Sequence, residues 1–158
     1  MKKIISIVII LIIFIGLLVA CTPSYEFNED DFSLTITVSE TEVRIGDTVE
    51  VTATFKNLSG RDIRIRMPAR DMRRLEDLVL IGIFREREGV DYRFDFLLGT
   101  RPRCRRTLRK DEIITNTIEF HIEEQINYVV LAAVFFSVGE NFSERRSIET
   151  EPTIISVT

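Results

Sequence analysis

Residues 49–56, Val49-Glu50-Val51-Thr52-Ala53-Thr54-Phe55-Lys56, alternate apolar and polar side chains without a break. An alternation of period two places every apolar side chain on one face of an extended strand, whereas a helix repeats about every 3.6 residues. The stretch follows Arg44-Ile45-Gly46-Asp47 and precedes Asn57-Leu58-Ser59-Gly60, and both segments have the composition of turns. A β-strand with one buried face is therefore predicted here.

The same alternation recurs through the rest of the chain. Strands with one buried face are predicted for residues 32–38, 63–67, 92–98 and 114–122. Residues 78–84 and 128–138 are apolar on both faces, which is typical of inner strands. A polar outer strand over 142–148 and a last strand over 152–157 complete the pattern. About seven to nine short antiparallel strands with regular turns and no long helix predict an all-β sandwich.

Three segments carry a resemblance to a known family. Residues 41–57, 107–112 and 127–133 resemble bacterial Ig-like domains of secreted lipoproteins, although the turn at 107–112 lacks the family's proline and glycine. The resemblance implies an Ig-like β-sandwich over residues 32–158 and says almost nothing about a ligand. The pattern is also similar to the intracellular proteinase inhibitor domain, but no residues identify an inhibitory loop.

The N-terminus has the composition of an export signal. Lys2 and Lys3 precede a nearly unbroken apolar run from Ile4 to Val19. The run ends in Leu18-Val19-Ala20-Cys21, which resembles the lipobox of bacterial lipoproteins. The resemblance implies cleavage between Ala20 and Cys21 and a diacylglycerol on the Cys21 sulfur.

An uncleaved signal anchor, in which Cys21 has no role, is the alternative, since a spanning helix needs about 20 apolar residues. In both cases the remaining chain lies on the extracytoplasmic side, because the two lysines hold the N-terminus inside. A diacylated cysteine would be a stable anchor to membrane lipid, since two acyl chains hold where one is marginal. Three parts are predicted: a helical signal peptide over residues 1–20, the acylated cysteine with an acidic tether over 21–31, and the Ig-like domain over 32–158.

Charge and cysteine content exclude some classes of function. The first twenty residues hold two of the 21 basic residues and none of the 25 acidic ones, so the cleaved chain has a formal charge of −6. A net negative chain is a poor candidate for nucleic-acid binding, which needs a basic surface. Acylation of Cys21 leaves Cys104 without a disulfide partner. Cys104 is then either a buried apolar side chain or a free thiol among arginines.

A catalytic constellation is not evident in the sequence. His121 is the sole histidine of the chain, and its alternation places it on the exposed face of a strand. No serine or cysteine motif accompanies it, and no group of residues has the spacing of metal ligands. Paired carboxylates are available but carry no motif. A non-enzymatic protein with neither cofactor nor metal is predicted.

The most unusual segment is strongly basic. Six of the ten residues from 101 to 110 carry positive charge: Arg101, Arg103, Arg105, Arg106, Arg109 and Lys110. One interpretation is a loop that binds an anionic ligand such as a phosphate, a lipid headgroup, an anionic wall polymer or an acidic protein. The other is a charged edge strand that pairs with acids such as Glu86, Glu88, Asp91 and Asp95. A second basic region (Arg64, Arg66, Arg70, Arg73, Arg74) would favour the binding interpretation if it met the first on one face.

Together these features predict a lipid-anchored protein of the cell envelope with a non-enzymatic Ig-like module that binds an envelope protein or an anionic polymer. The alternative is a protease inhibitor that acts through an exposed loop of the same sandwich. An uncharacterised hydrolase is a more distant alternative.

Overall fold

The computed structural model describes residues 28–68, 78–94, 102–139 and 142–158, without the side chains of Glu29, Pro68, Pro102 and Arg103. In these ranges the chain forms a 3-10 turn, Glu29–Asp31, and ten strands. The strands are β1 (Phe32–Val38), β2 (Glu42–Val43), β3 (Thr48–Asn57), β4 (Ile63–Pro68), β5 (Val79–Arg85), β6 (Pro102–Leu108), β7 (Ile113–His121), β8 (Tyr128–Val138), β9 (Glu144–Glu149) and β10 (Thr153–Val157).

The described part of the chain confirms the predicted all-β class. It contains no helix that is long and apolar enough to cross a membrane. The predicted signal helix, the cleavage position and Cys21 lie outside the described residues, as does most of the tether.

The smaller sheet has three antiparallel strands in the order β1-β3-β7. The alternating residues 49–56 lie in its central strand, β3. The apolar side chains of β3 are at most 1% exposed: Val49, Val51, Ala53 and Phe55. The outer face of this sheet is polar, because the intervening residues point away from the core.

The larger sheet is built around β8, all eleven residues of which are buried. Its order is β2-β10-β8-β4-β6, and β5 and β9 also pair with β8. The registers show that each edge of β8 is shared by two strands, with β5 and β10 beside its first half and β4 and β9 beside its second. This confirms the prediction of a central inner strand at 128–138.

One edge of β8 contains a β-bulge. Glu149 pairs with Ala133 and Thr153 pairs with Val130, so four steps along this edge correspond to three along β8. The extra residue interrupts the ladder and divides one long strand into β9 and β10. The described residues form ten strands, above the predicted seven to nine, because they include the two-residue strand β2, which runs parallel to β10, and the strand β6 in the basic segment.

Aromatic rings join the two sheets in the core. Phe32 of β1 stacks on Phe55 of β3 at 5.2 Å between centroids, and Phe136 of β8 meets Phe32 edge-on at 5.2 Å. At the opposite end of the sandwich, Phe120 and Tyr128 pack edge-to-face at 4.9 Å. The contacts of Phe136 with Phe32 and of Tyr128 with Phe120 connect the larger sheet to the smaller one, so the burial of these rings fixes how the sheets face each other.

The strand predicted over residues 92–98 is wrong in its described part. Residues 86–94 contain no strand. The Phe94 ring instead packs edge-on against Phe84 and Phe135, on the outer face of the larger sheet. Gly82 lies beneath it, where an added Cβ would come within 2.9 Å of the Phe94 ring. The alternation therefore reflects aromatic side chains that cover a sheet, while residues 95–98 lie outside the described residues.

Candidate functional site

The basic segment forms the edge strand β6 over residues 102–108 rather than a loop. Its charged side chains separate into different environments. Arg105 is exposed on the outer face, whereas Arg106 is half-buried and forms a 2.6 Å ion pair with Glu112. Arg109 and Lys110 lie in the turn after β6. Arg101 and the side chain of Arg103 lie outside the described residues, so the six predicted residues are not seen as one patch.

The second basic region does meet the first. β4 pairs with β6 so that Arg66 lies opposite Arg105. Arg66 also pairs with Ser137 of β8, and Ser137 pairs with Arg145 of β9. The residues Arg105, Arg66, Ser137 and Arg145 thus form one register row across four strands, here called the arginine row. With strands about 4.8 Å apart, the row spans about 14 Å. Arg70, Arg73 and Arg74 lie outside the described residues.

Phe142 holds the first two arginines of the row in place. Its ring lies 5.9 Å from the Arg66 guanidinium and 5.5 Å from that of Arg105. Such cation–π contacts contribute roughly 0.5–1 kcal/mol at exposed sites. Phe142 has a φ of 58°, which is unusual for a bulky residue and costs free energy. The Phe142 ring thus lies beside two guanidinium groups even though its backbone conformation is unfavourable for a bulky residue.

The arginine row and Arg64, which occupies the same face of β4, are here called the arginine face. No carboxylate in the described ranges lies within ion-pair distance of its four arginines. In contrast, Arg106 and Arg146, on the other face of the same sheet, are paired with Glu112 and Glu144. The buried Arg66 Nε also makes no hydrogen bond to a described residue. The positive charge of this face is therefore not neutralised by the described chain.

Charge is unevenly distributed along the sandwich, which is about 35 Å long, judging from the eleven residues of β8. Among the described side chains at the end where β1 begins, ten are basic and six are acidic: Lys56, Arg61, Arg64, Arg66, Arg105, Arg106, Arg109, Lys110, Arg145 and Arg146 against Asp30, Asp31, Asp62, Asp111, Glu112 and Glu144. Of the charged side chains described at the far end, four are basic and ten are acidic: Arg44, Arg85, Arg87 and Arg93 against Glu40, Glu42, Asp47, Glu50, Glu86, Glu88, Asp91, Glu119, Glu123 and Glu124. The domain is thus electrically polar along its long axis.

Other candidate residues have ordinary surroundings. His121 is exposed, as predicted, and its Nδ1 lies 3.3 Å from the Thr48 hydroxyl oxygen. It borders an open cleft of about 370 Å³ with Glu119, Glu123 and Glu124. The described residues contain no group of three or more histidine, cysteine or acidic side chains placed to hold a metal.

Cys104 is a free thiol and is half-buried, so it combines features of the two predicted alternatives. It lies on the inner face of β6 and packs against the core cluster that contains Phe55 and Phe136. Of the acids predicted to pair with the basic segment, Asp91 instead pairs with Arg93, and the Glu86 carboxylate accepts a hydrogen bond from Asn127.

Sequence reasoning missed Arg145, Ser137 and Phe142. The alternation of β9 indicates that Arg145 lies on the face opposite Ile148, so the sequence could have shown that Arg145 is on the outer face of its strand. The sequence gives no sign that β9 and β4 flank the same part of β8. In the sequence alone, nothing distinguishes Phe142 from any apolar residue near a turn.

Comparisons with known proteins identify no family. No protein-family model matches the chain, and no curated protein matches it. Solved structures that share its type of fold include the sporulation control protein Spo0M from Bacillus subtilis, with 10% identity and a TM-score of 0.40 over 80% of this chain and 49% of that one. This chain thus spans about half of Spo0M.

Two further solved structures are matched by this chain over almost their whole length. The PapD-like domain 7 of human CEP192 has 9% identity and a TM-score of 0.42, over 87% of this chain and 92% of that one. The CARDB domain of PF1109 from Pyrococcus furiosus, solved with di-metal ions, has 14% identity and a TM-score of 0.36, over 85% and 95%. These neighbours are Ig-like or related β-sandwiches. Similarities of this size transfer no ligand, activity or partner to this chain.

Proposed function

We propose that this chain is a lipid-anchored, non-enzymatic binding module of the cell envelope whose arginine face binds a linear anionic polymer. The observation that supports it is the alignment of Arg105, Arg66 and Arg145 in one row without described acidic partners. Guanidinium groups bind phosphate and carboxylate oxygens through two parallel hydrogen bonds, so a row of them suits a ligand with repeated negative charges.

The shape of the site also favours a polymer over a small anion. A single phosphate would contact one or two guanidinium groups, whereas the row extends about 14 Å over four strands. The residues lie on the face of a sheet rather than in an enclosed cavity, and three of the four arginines of the face are exposed. An open, extended surface accommodates a chain that continues beyond it in both directions.

The anchor in this proposal is the diacylated Cys21. It accounts for the lipobox-like sequence and for a position outside the cytoplasmic membrane, where anionic wall polymers occur. Incorporation of labelled fatty acid into the wild-type chain, and its loss in Cys21→Ser, tests the anchor independently of the ligand.

Binding is tested with the processed chain, extracted from membranes in detergent, and polyphosphate as the probe. We expect Arg66→Gln/Arg105→Gln/Arg145→Gln to bind about ten- to a hundredfold more weakly, at roughly 0.5–1 kcal/mol per exposed charge contact. The matched control, Arg44→Gln/Arg87→Gln/Arg93→Gln, removes the same charge from the far end and should bind like wild type.

Equal losses in the two triple variants would show that net charge, and not the arginine face, governs binding. No binding of polyphosphate by the wild type would reject the polymer. Specific capture of an acidic protein would then identify a protein ligand, and a trapped protease would support the inhibitor alternative.

A further inference from the structure

We infer that the end of the sandwich at which β1 begins rests on the surface of an anionic lipid bilayer, with Leu58 and Ile113 in contact with the lipid. This inference rests on the lipid anchor proposed above. It assigns an orientation and a second interaction surface, distinct from the arginine face.

Two of the turns at this end of the molecule, residues 57–62 and 108–113, are here called the double turn. The buried side chain of Asn57 joins them, since its Nδ2 donates to the carbonyls of Arg61 and Arg109, both at 2.9 Å. The Asp62 carboxylate accepts the Lys110 backbone N–H at 2.8 Å. These bonds make the double turn one connected surface, so that residues on either turn keep a fixed relation to each other.

Two large apolar side chains of the double turn are exposed. Leu58 is 46% exposed and Ile113 is 56% exposed. Ile113 pairs with Lys56, two residues before Leu58, so the two apolar side chains lie at the same end of the smaller sheet. Burying their exposed surface in lipid would be favourable by roughly 25 cal/mol per Å².

The segment that precedes β1 contacts the double turn. The Leu58 N–H donates to the Asp31 carbonyl at 2.7 Å, and Asp31 immediately precedes β1. Cys21 lies seven positions before Asn28, the first described residue. Seven residues span at most about 25 Å, so a lipid on Cys21 would keep the double turn close to the membrane.

Charge favours the same orientation. Among the described side chains, the end that carries the double turn has an excess of basic groups, and the far end has a large excess of acidic ones. Arg109 and Lys110 are exposed and have no acidic partner in the described ranges. Meanwhile Asp62 and Glu112 accept hydrogen bonds from backbone N–H groups of the double turn. An anionic surface would attract this end and repel the other.

The chain contains no tryptophan, so one substituted tryptophan reports its own surroundings. The experiment uses the full processed chain in vesicles of equimolar phosphatidylglycerol and phosphatidylcholine, with brominated acyl chains as quencher. We expect the emission of Ile113→Trp and of Leu58→Trp to shift to shorter wavelength and to be quenched. The matched control is Ile45→Trp in a far-end turn, where Ile45 is 54% exposed; it should keep its solution spectrum.

A second arm tests charge. In the Ile113→Trp chain, Arg109→Gln and Lys110→Gln should each lower the ratio of docked to undocked domain about fivefold, which corresponds to the usual attraction of one basic residue to an anionic surface. In vesicles of phosphatidylcholine alone, both substitutions should have no effect.

The outcomes separate the inference from the anchor. Unquenched Ile113→Trp in a chain that carries labelled fatty acid on Cys21 would overturn the orientation and leave the anchor intact. Equal quenching of Ile45→Trp would also overturn it, because the domain would then have no preferred end. Absence of label on Cys21 would reject the anchor and, with it, the inference.

Discussion

Asn57 shows how one polar residue can organise an end of a β-sandwich. The residue is 1% exposed, although asparagine is usually found at the surface. Its amide nitrogen lies within hydrogen-bond distance of three backbone carbonyls, and its Oδ1 accepts the Ser59 N–H at 3.1 Å. The side chain thereby satisfies backbone groups that two reversing turns leave without strand partners.

Asn57→Ala should lower the free energy of unfolding by about 2–4 kcal/mol, because buried carbonyls would lose their donor at about 1 kcal/mol or more each. Urea unfolding followed by far-UV circular dichroism measures the loss. The matched control is Asn116→Ala, which removes a single hydrogen bond to the Val79 carbonyl and should cost about 1 kcal/mol. Equal losses in the two variants would contradict the role given to Asn57.

Among the elements, the β9–β10 edge has the most unusual construction. The bulge leaves the Ala132 N–H without a backbone acceptor at its ladder position, and Thr150 supplies one through its side-chain oxygen at 3.0 Å. The Thr150 N–H in turn donates to the Ala132 carbonyl at 3.0 Å. Pro152 follows, at a position where a missing N–H is tolerated because the ladder is already interrupted.

Thr150→Val preserves the shape of the side chain and removes this acceptor. We expect a loss of about 1–3 kcal/mol in unfolding free energy, since a buried N–H would remain unpaired. Thr153→Val is the control, because the Thr153 hydroxyl makes no hydrogen bond to a described residue. Thermal unfolding of both variants under identical conditions gives the comparison, and a Thr150→Val protein as stable as Thr153→Val would refute the role of the hydroxyl.

At the scale of the whole molecule, the contact between sheets depends on a few large rings. Phe136 is 2% exposed and its ring contacts both Phe32 and Phe55. These three residues come from β1, β3 and β8 and thus join strands that are far apart in sequence. The core at this end would lose its centre if one ring were removed.

Phe136→Ala should therefore cost about 3–5 kcal/mol. That is a large part of the total stability of a typical domain, about 5–15 kcal/mol. Equilibrium unfolding in urea is the measurement. Leu58→Ala serves as control, since an exposed side chain usually changes stability by no more than about 0.5 kcal/mol. A small loss for Phe136→Ala would mean that the remaining core closes around the cavity.

Much of the fold was predictable from local patterns. The alternation in 49–56 and 114–122 identified two strands of the smaller sheet, and the doubly apolar run 128–138 identified the central strand of the larger one. The failure at 92–94 has a physical reason. A period of two records which side chains are apolar, but it does not distinguish pairing within a sheet from packing on top of one.

The candidate site was only partly predictable. The basic segment was recognised, but its residues divide between two faces of β6 because neighbouring side chains on a strand point in opposite directions. The arginine row also needs Arg66 and Arg145, which come from strands far away in sequence. Their neighbourhood depends on strand order, which single-strand patterns do not encode.

By itself, the sequence determined the strand class and the central position of β8 and led to the prediction of an export signal, because periodicity, hydrophobicity and short motifs are properties of consecutive residues. Only the tertiary structure decided that each edge of β8 is shared by two strands and that three arginines align in one row. It also placed most of the described basic side chains at the end of the sandwich at which β1 begins. These features arise from contacts between distant segments, whose free energy depends on how the sheets pack and pair rather than on any one stretch.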